Sequence, residues 1–302
     1  MVQEKIKVLI IAGPTAVGKS DFGVEAAQSL NGEVISADSM QIYKGMDIGT
    51  GKITAKEAKG IPHYMLDIVA PNEDYSVGRY VSDAAAIIKE VASRGKLPII
   101  VGGTGLYINS LIYGHSFSQT QRNEEIRRQL WQYVEEHGNA ALHRLLSQVD
   151  EISAQKIMVN DTKRLIRAYE IYLVTGKPRS AQTDTHPPVY DYKMVVLNDD
   201  RQALYDRINR RVDMMTESGL VDEVKSLYSY KTCNSMQAIG YKEIIKYLDG
   251  EITLNEAIEE IKKGSRNYAK RQMTFFRGMK LDKEFVDVKD KDKFLCTLTR
   301  KH

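Results

Sequence analysis

Apolar and polar positions along the first hundred residues predict strands that alternate with helices. Residues 8–12 and 98–101 are short apolar runs and residues 33–36 fit a further strand, whereas residues 19–30 and 81–94 repeat apolar positions at helical spacing. Strands that alternate with helices are typical of a parallel sheet covered by helices on both faces. We therefore predict an α/β fold with a doubly wound parallel sheet.

The pattern becomes helical between residues 117 and 183. Apolar residues recur there at helical spacing, with almost no strand signal. This predicts an all-helical subdomain, residues 117–183, inserted into an α/β core made of residues 1–116 and 184–302. A strand returns at residues 195–197, and the segments 203–231 and 254–280 are predicted to be long amphipathic helices.

Composition narrows the class of protein. The 302 residues include 42% hydrophobic residues, enough for a buried core, and the net charge of +3 places any nucleic-acid surface in a local patch. Cys233 and Cys296 are far apart and lack CxxC spacing, which argues against a zinc module and for a reducing compartment. The run at residues 8–12 is too short for a signal peptide or a membrane span. We expect a soluble cytoplasmic protein with no membrane partner.

Residues 13–20 match the phosphate-binding pattern G-x-x-x-x-G-K-[ST] between a predicted strand and a predicted helix. In such a loop, backbone N–H groups converge on phosphate oxygens, Lys19 neutralises them and the Ser20 hydroxyl can ligate Mg²⁺. The candidate phosphate ligands are Gly13, Thr15, Ala16, Val17, Gly18, Lys19 and Ser20. The loop does not define the reaction, because kinases, ATPases and other transferases share it.

Two more polar positions follow predicted strands. Asp38 comes after residues 33–36, where it is better placed than Asp67 for a Walker-B role, and Thr104 comes after residues 98–101. The carboxyl ends of parallel strands meet at the edge where such sheets bind ligands, so both side chains can face the phosphate loop. Asp38 and Ser39 could instead cap a turn, and the glycine-rich turn before Thr104 could be structural. The residues alone leave these alternatives open.

Three blocks occur in order along the chain: residues 13–20, the Asp-Ser-x-Gln-x-Tyr block at 38–43, and the Gly-Gly-Thr-Gly-Leu-Tyr block at 102–107. In this order they resemble the tRNA dimethylallyltransferase family, also called tRNA isopentenyltransferases, and the likeness continues to Arg277. The resemblance implies a P-loop NTPase-like enzyme. It would transfer the dimethylallyl group of dimethylallyl diphosphate to N6 of the adenine 3′-adjacent to the anticodon in tRNA, releasing diphosphate.

We also expect a Mg²⁺ cofactor and a monomer. The resemblance implies the bacterial form of the family, since no Cys/His cluster follows the last predicted helix. Three catalytic roles follow from it. Asp38 would accept the proton of the adenine amine, Thr104 would orient the reactants, and Arg211 would clamp the diphosphate. From the residues alone, Arg207 and Arg211 could equally form a solvated helix face paired with neighbouring aspartates.

A basic stretch marks the candidate RNA surface. Seven basic residues and no acidic ones lie between Ile261 and Leu281, while Phe275 and Phe276 are assigned to packing. The resemblance implies the tRNA-binding residues Asp38, Ser39, Met40, Gln41, Thr104, Lys163, Arg164, Leu165, Ile166, Arg167, Gln237, Gly240, Tyr241 and Lys242.

Two rival functions remain. An adenylate isopentenyltransferase would prenylate free adenine nucleotides with the same phosphate loop and aspartate, and a P-loop kinase would phosphorylate a small molecule with ATP. The predicted helical insertion and the basic stretch favour tRNA over both.

Overall fold

The computed structural model describes residues 4–114, 123–181 and 187–299. Contacts divide the chain into two units, Met1–Gly114 with Pro188–His302, and His115–Pro187. The predicted boundaries at residues 116–117 and 183–184 lie outside the described residues.

The described part of the larger unit contains a six-stranded parallel sheet. Its strands are β1 Lys7–Ala12, β2 Gly32–Ser36, β3 His63–Tyr64, β4 Leu97–Gly102, β5 Asp191–Asn198 and β6 Glu284–Asp287. They are arranged in the order β3-β2-β4-β1-β5-β6, and every neighbouring pair is parallel. The four predicted strands are confirmed. The edge strands β3 and β6 were not predicted, because runs of two and four residues are too short to show a period.

The helices in chain order are α1 Lys19–Ser29, α2 Ala55–Ala58, α3 Val77–Ser93, α4 Gly105–Tyr113, α5 Glu124–His137, α6 Asn139–Val149, α7 Glu151–Lys156, α8 Thr162–Thr175, α9 Arg201–Glu217, α10 Leu220–Ser226, α11 Tyr241–Leu248, α12 Leu254–Gly278 and α13 Lys291–Thr299. Within the described part of the chain, no helix is both long enough and apolar enough to cross a bilayer.

Both faces of the sheet are covered, as a doubly wound fold requires. Ile10 of β1 packs on one face in a cluster with Tyr80 of α3 and Ile108 of α4. Its neighbour Ile11 points to the other face and packs in a cluster with Phe22 of α1. Burial on both faces explains why the central strands are continuous apolar runs in the sequence. The predicted P-loop-like α/β class is confirmed.

The predicted helix at residues 203–231 is wrong as a single element. The chain breaks after α9 at Gly219, whose φ of 101° is in the left-handed region that favours glycine. The break redirects the chain so that Leu220 and Val224 of α10 enter the cluster that contains Val212 of α9. The helix predicted at residues 254–280 is confirmed as α12.

The smaller unit is helical in its described part. Helices α5 to α8 bury the side chains of Leu130, Leu142, Leu146, Leu165 and Ile166 in a core of their own. Asp161 begins α8 by accepting a hydrogen bond from the Arg164 N–H.

Candidate active site

The phosphate loop joins β1 to α1 and presents backbone N–H groups to an anion. Gly13 has a φ of 147°, and a Cβ there would lie 2.7 Å from the Leu197 carbonyl oxygen of β5, so a larger residue does not fit. Helix α1 begins at Lys19, which places the unpaired N–H groups of its first turn beside the loop. The geometry is that of a helix N-terminus able to bind phosphate.

Gln272 of α12 ties this loop to the end of β4. Its side-chain oxygen accepts the Thr15 N–H at 2.9 Å, and its nitrogen donates to the Gly103 carbonyl at 3.0 Å. From α9, Arg207 Nε donates to the Ala16 carbonyl at 3.1 Å. These two side chains therefore hold the shape of the loop. Gln272 was not predicted as a site residue, because a single glutamine in a basic helix does not by itself indicate a contact with the phosphate loop.

Lys19 and Arg211 bring two half-buried cations to the loop. Lys19 Nζ donates to the Pro14 carbonyl at 2.7 Å, and Arg211 Nη1 donates to Thr15 Oγ1 at 3.3 Å. Burial lowers the pKa of Lys19 to about 7, with the Asp38 carboxylate opposing the shift and Arg211 adding to it. Burial also lowers the pKa of Arg211. A bound anion would relieve both shifts, so the pocket suits a diphosphate.

The two arginines of α9 do not form a solvated face paired with helix aspartates, so that alternative is wrong. Arg207 forms an ion pair with the buried Asp199, which follows β5. Arg211 also donates through Nη2 to the Thr50 carbonyl at 3.4 Å. Asp213 of the same helix pairs with Lys262 at 2.8 Å instead.

Asp38 both caps a turn and faces the cleft. Its Oδ1 accepts the N–H groups of Met40 at 2.8 Å and Gln41 at 3.4 Å. Thr104, just before α4, accepts the Ser39 N–H through Oγ1 at 3.1 Å, so the ends of β2 and β4 are joined at this point. Capping and catalysis are therefore compatible, because the capped turn fixes the direction of the Asp38 carboxylate.

Two cavities meet at these side chains. One is lined by Lys19, Ser20 and Gln41, and the other by Ser39, Met40, Gln237, Gly240 and Lys242. Both are also lined by Thr15, Asp38, Thr50, Arg211 and Tyr268. The Asp38 carboxylate thus lies where the cavity beside the phosphate loop joins a second, larger one. Tyr268 and Thr50 were not predicted as site residues.

Some of the predicted site residues have buried side chains. Val17 packs in the core beside the sheet, and Tyr241 packs among α9 to α12 with its hydroxyl donating to Glu223 at 2.6 Å. Leu165 and Ile166 belong to the core of the helical unit. These side chains support neighbouring residues and do not present themselves to a ligand.

The predicted basic cluster on α8 divides into exposed and paired side chains. Lys163 is exposed, and Arg164 is 70% exposed beside Asp161. Arg167 donates to the fully buried Glu170 at 2.9 Å, so it also stabilises the helical unit.

The basic stretch of α12 divides in a similar way. Lys262 is paired with Asp213, and Arg271 lies 5.8 Å from the centre of the Tyr268 ring, at the wall of the larger cavity. Phe276 is fully buried, as predicted, whereas Phe275 is 43% exposed. The ring of Phe275 still packs over Gly105, so its assignment to packing holds for one side of the ring.

This arrangement, a parallel sheet with a phosphate loop after β1 and acidic and basic side chains at the same edge, defines a P-loop enzyme of the α/β class. The family model described as IPP transferase matches residues 41–279, and a model described as isopentenyl transferase matches residues 6–74. The chain belongs to the IPP transferase family, whose members include the tRNA dimethylallyltransferases.

Individual relatives agree with this assignment. The tRNA dimethylallyltransferase of Caldanaerobacter subterraneus subsp. tengcongensis is 52% identical over 288 residues, which are 93% of this chain and 91% of that protein. The crystal structure of the full-length tRNA isopentenylpyrophosphate transferase from Bacillus halodurans is 46% identical, covers 98% of this chain and 95% of its own, and gives a TM-score of 0.73. A structure of a eukaryotic dimethylallyltransferase acting on tRNA is 31% identical, covers 98% and 77%, and gives a TM-score of 0.82.

Proposed function

We propose that this protein transfers the dimethylallyl group from dimethylallyl diphosphate to N6 of the adenine 3′-adjacent to the anticodon in tRNA and releases diphosphate. The names of its relatives support tRNA over free adenine nucleotides or a kinase substrate. The observation that carries the proposal is the position of Asp38. It lies at the junction of the cavity beside the phosphate loop and a second, larger cavity that would receive the base.

The diphosphate would bind between the phosphate loop, Lys19 and Arg211. When the allylic C–O bond breaks, negative charge accumulates on the departing diphosphate. Cations and N–H groups that are already fixed in place stabilise this charge most in the transition state, where it is greatest. The Arg211 guanidinium can do so with two parallel donors.

Magnesium fits the donors that are present. Mg²⁺ commonly binds through one or two protein oxygens and the phosphates of the substrate, and Ser20 and Asp38 line the same cavity as Lys19. Among the described residues, no group of three or more His, Cys, Asp or Glu side chains could hold a metal by itself. Ser20 would hold the ion, which would supply further positive charge at the diphosphate.

Asp38 would act as the general base at the acceptor. The N6 amine of adenine is a weak nucleophile, because its lone pair is delocalised into the ring. As the N6–C bond forms and the C–O bond breaks, the amine proton passes to the Asp38 carboxylate, which contributes roughly 10²–10⁴-fold to the rate. Thr104 holds the Ser39 N–H and thereby fixes the turn that carries Asp38.

The larger cavity would receive the adenine after it leaves the base stack. Residues at its wall would contact the base and its neighbours, namely Ser39, Met40, Gln237, Gly240, Lys242 and Arg271. Gln41 is held by the Thr50 and Gly51 carbonyls at 3.4 Å and would act from the phosphate side. The exposed Lys163 and Arg164 would bind tRNA phosphates. We further propose a monomer that acts in the cytoplasm.

Three separate reactions test the proposal. Two contain dimethylallyl diphosphate and Mg²⁺ with either tRNA or AMP, and the third contains ATP in place of dimethylallyl diphosphate. We expect the label of a radioactive dimethylallyl group to appear in tRNA and not in AMP, with no hydrolysis of ATP. Labelled AMP would identify an adenylate isopentenyltransferase, and ATP turnover would identify a kinase. Light scattering of the purified protein tests the monomer.

A further inference from the structure

Glu223 of α10 is an acidic residue that the proposed reaction does not use, yet its carboxylate makes an unusual set of contacts. It accepts the N–H groups of three consecutive residues, Asp47 at 3.0 Å, Ile48 at 2.7 Å and Gly49 at 3.0 Å. It also accepts the hydroxyl of Tyr241 at 2.6 Å. Hydrogen bonds to an ionised acceptor are about twice as strong as neutral ones, so this side chain fixes the segment firmly.

The segment that Glu223 holds is a turn that continues directly into the active site. The Gly51 N–H donates to the Ile48 carbonyl at 2.9 Å, and the Lys52 N–H donates to the Asp47 carbonyl at 2.9 Å. The first N–H groups of such a turn have no partner within it, and Glu223 supplies one from another element. The turn therefore depends on a carboxylate far away in sequence.

The end of the turn contacts Arg211. The Thr50 carbonyl accepts from Arg211 Nη2 at 3.4 Å, and Thr50 lines both cavities. Gly51 lies so close to the guanidinium that a Cβ there would be 1.7 Å from Nη2. A shift of the turn would therefore move the backbone atoms of Thr50 and Gly51 that contact the Arg211 guanidinium.

We infer that Glu223 is a positioning residue for the diphosphate site, which it serves by fixing the turn at residues 47–52 against Arg211. The inference rests on the proposed role of Arg211 as a diphosphate clamp. Burial and the bond to Glu223 raise the pKa of Tyr241, in agreement with a hydroxyl that stays protonated as a donor to this carboxylate. A residue that only stabilises the fold would act independently of Arg211.

A double-mutant cycle with inorganic diphosphate as the ligand separates these two roles. Glu223→Gln leaves an amide in which the NH₂ group faces backbone N–H groups, so we expect binding, measured by calorimetry, to weaken about tenfold. In the Arg211→Gln background the same change should weaken binding by less than about twofold. Equal weakening in both backgrounds would overturn the inference.

Two further variants guard against loss of fold. Tyr241→Phe removes one of the four hydrogen bonds and should weaken diphosphate binding by about two- to threefold with the protein still folded. Asp222→Asn changes the adjacent, 82% exposed carboxylate and should leave binding unchanged. Because the ligand is diphosphate itself, the cycle is informative even if no prenyl transfer to tRNA occurs. Failure of the proposed reaction is therefore distinguishable from failure of this inference.

Discussion

Gly51 is the position at which one added methyl group would displace Arg211. Its φ is 58°, and an added Cβ would lie 1.7 Å from Nη2 and 2.7 Å from Cζ of Arg211. An ordinary contact between such atoms is about 3.5 Å, so in Gly51→Ala the guanidinium must retreat by roughly 1.8 Å. Misplacement by about 1 Å can cost roughly 10²-fold in rate. We therefore expect kcat/KM for dimethylallyl diphosphate to fall about 100-fold.

Gly60 offers a matched control. Its φ is 78°, and no heavy atom of the described residues lies within 4 Å of an added Cβ. Gly60→Ala therefore carries the same backbone penalty without the contact, and both variants should lose about 1–2 kcal/mol of unfolding free energy in urea. Steady-state rates with dimethylallyl diphosphate varied at saturating tRNA then isolate the effect on Arg211. If the two variants have kcat/KM values within about twofold, Arg211 does not act at the diphosphate.

Three other changes test separate contacts of the structure. Gln272→Leu leaves the buried Gly103 carbonyl and the partly buried Thr15 N–H without their partner, which should cost roughly 1–3 kcal/mol in urea unfolding. A loss well below about 1 kcal/mol would show that Gln272 does not brace the phosphate loop. Arg167→Gln leaves the buried Glu170 short of a partner and should lower the melting temperature, whereas Arg164→Gln should only flatten the dependence of tRNA affinity on salt. The reverse pattern would contradict our division of this cluster. Thr104→Val keeps the shape but loses the bond to the Ser39 N–H, so single-turnover rates should fall about tenfold, and an unchanged rate would remove Thr104 from the positioning of Asp38.

Local signals made much of the fold predictable from the sequence. Buried parallel strands are continuous apolar runs, and the glycines of the phosphate loop stand at fixed spacing between a strand and a helix. The break at Gly219 could not be predicted, because a glycine within a helical pattern is often tolerated. The chain turns there because Leu220 and Val224 join Val212 in one buried cluster.

The sequence predicted those site residues that lie near a strand or motif, and it did not predict those that act through contacts distant in sequence. Lys19 and Ser20 follow the loop after β1, and Asp38 comes just after β2, so their position at one edge of the sheet follows from topology. Gln272 contacts residues 169 and 257 positions away, and Glu223 holds a turn 174 to 176 positions away, and no sequence period records such pairs.

The residues predicted from the family resemblance differ in whether their side chains can reach a ligand. Gln237, Gly240 and Lys242 line the larger cavity, whereas the side chain of Tyr241, within the same block, is buried. Resemblance identifies a block of residues, but burial decides which side chain in it can meet a ligand.

The most direct measurement of the central claim is the effect of Asp38→Asn on binding and on chemistry in the same preparation. Asparagine keeps an oxygen that can accept the Met40 N–H, so the turn should persist. Because a negative charge near Lys19 and Arg211 is removed, diphosphate should bind at least as tightly as to the unmodified protein. Single-turnover transfer of the dimethylallyl group to tRNA should fall by roughly 10²–10⁴-fold. A transfer rate near that of the unmodified protein would contradict the role of Asp38 as the base.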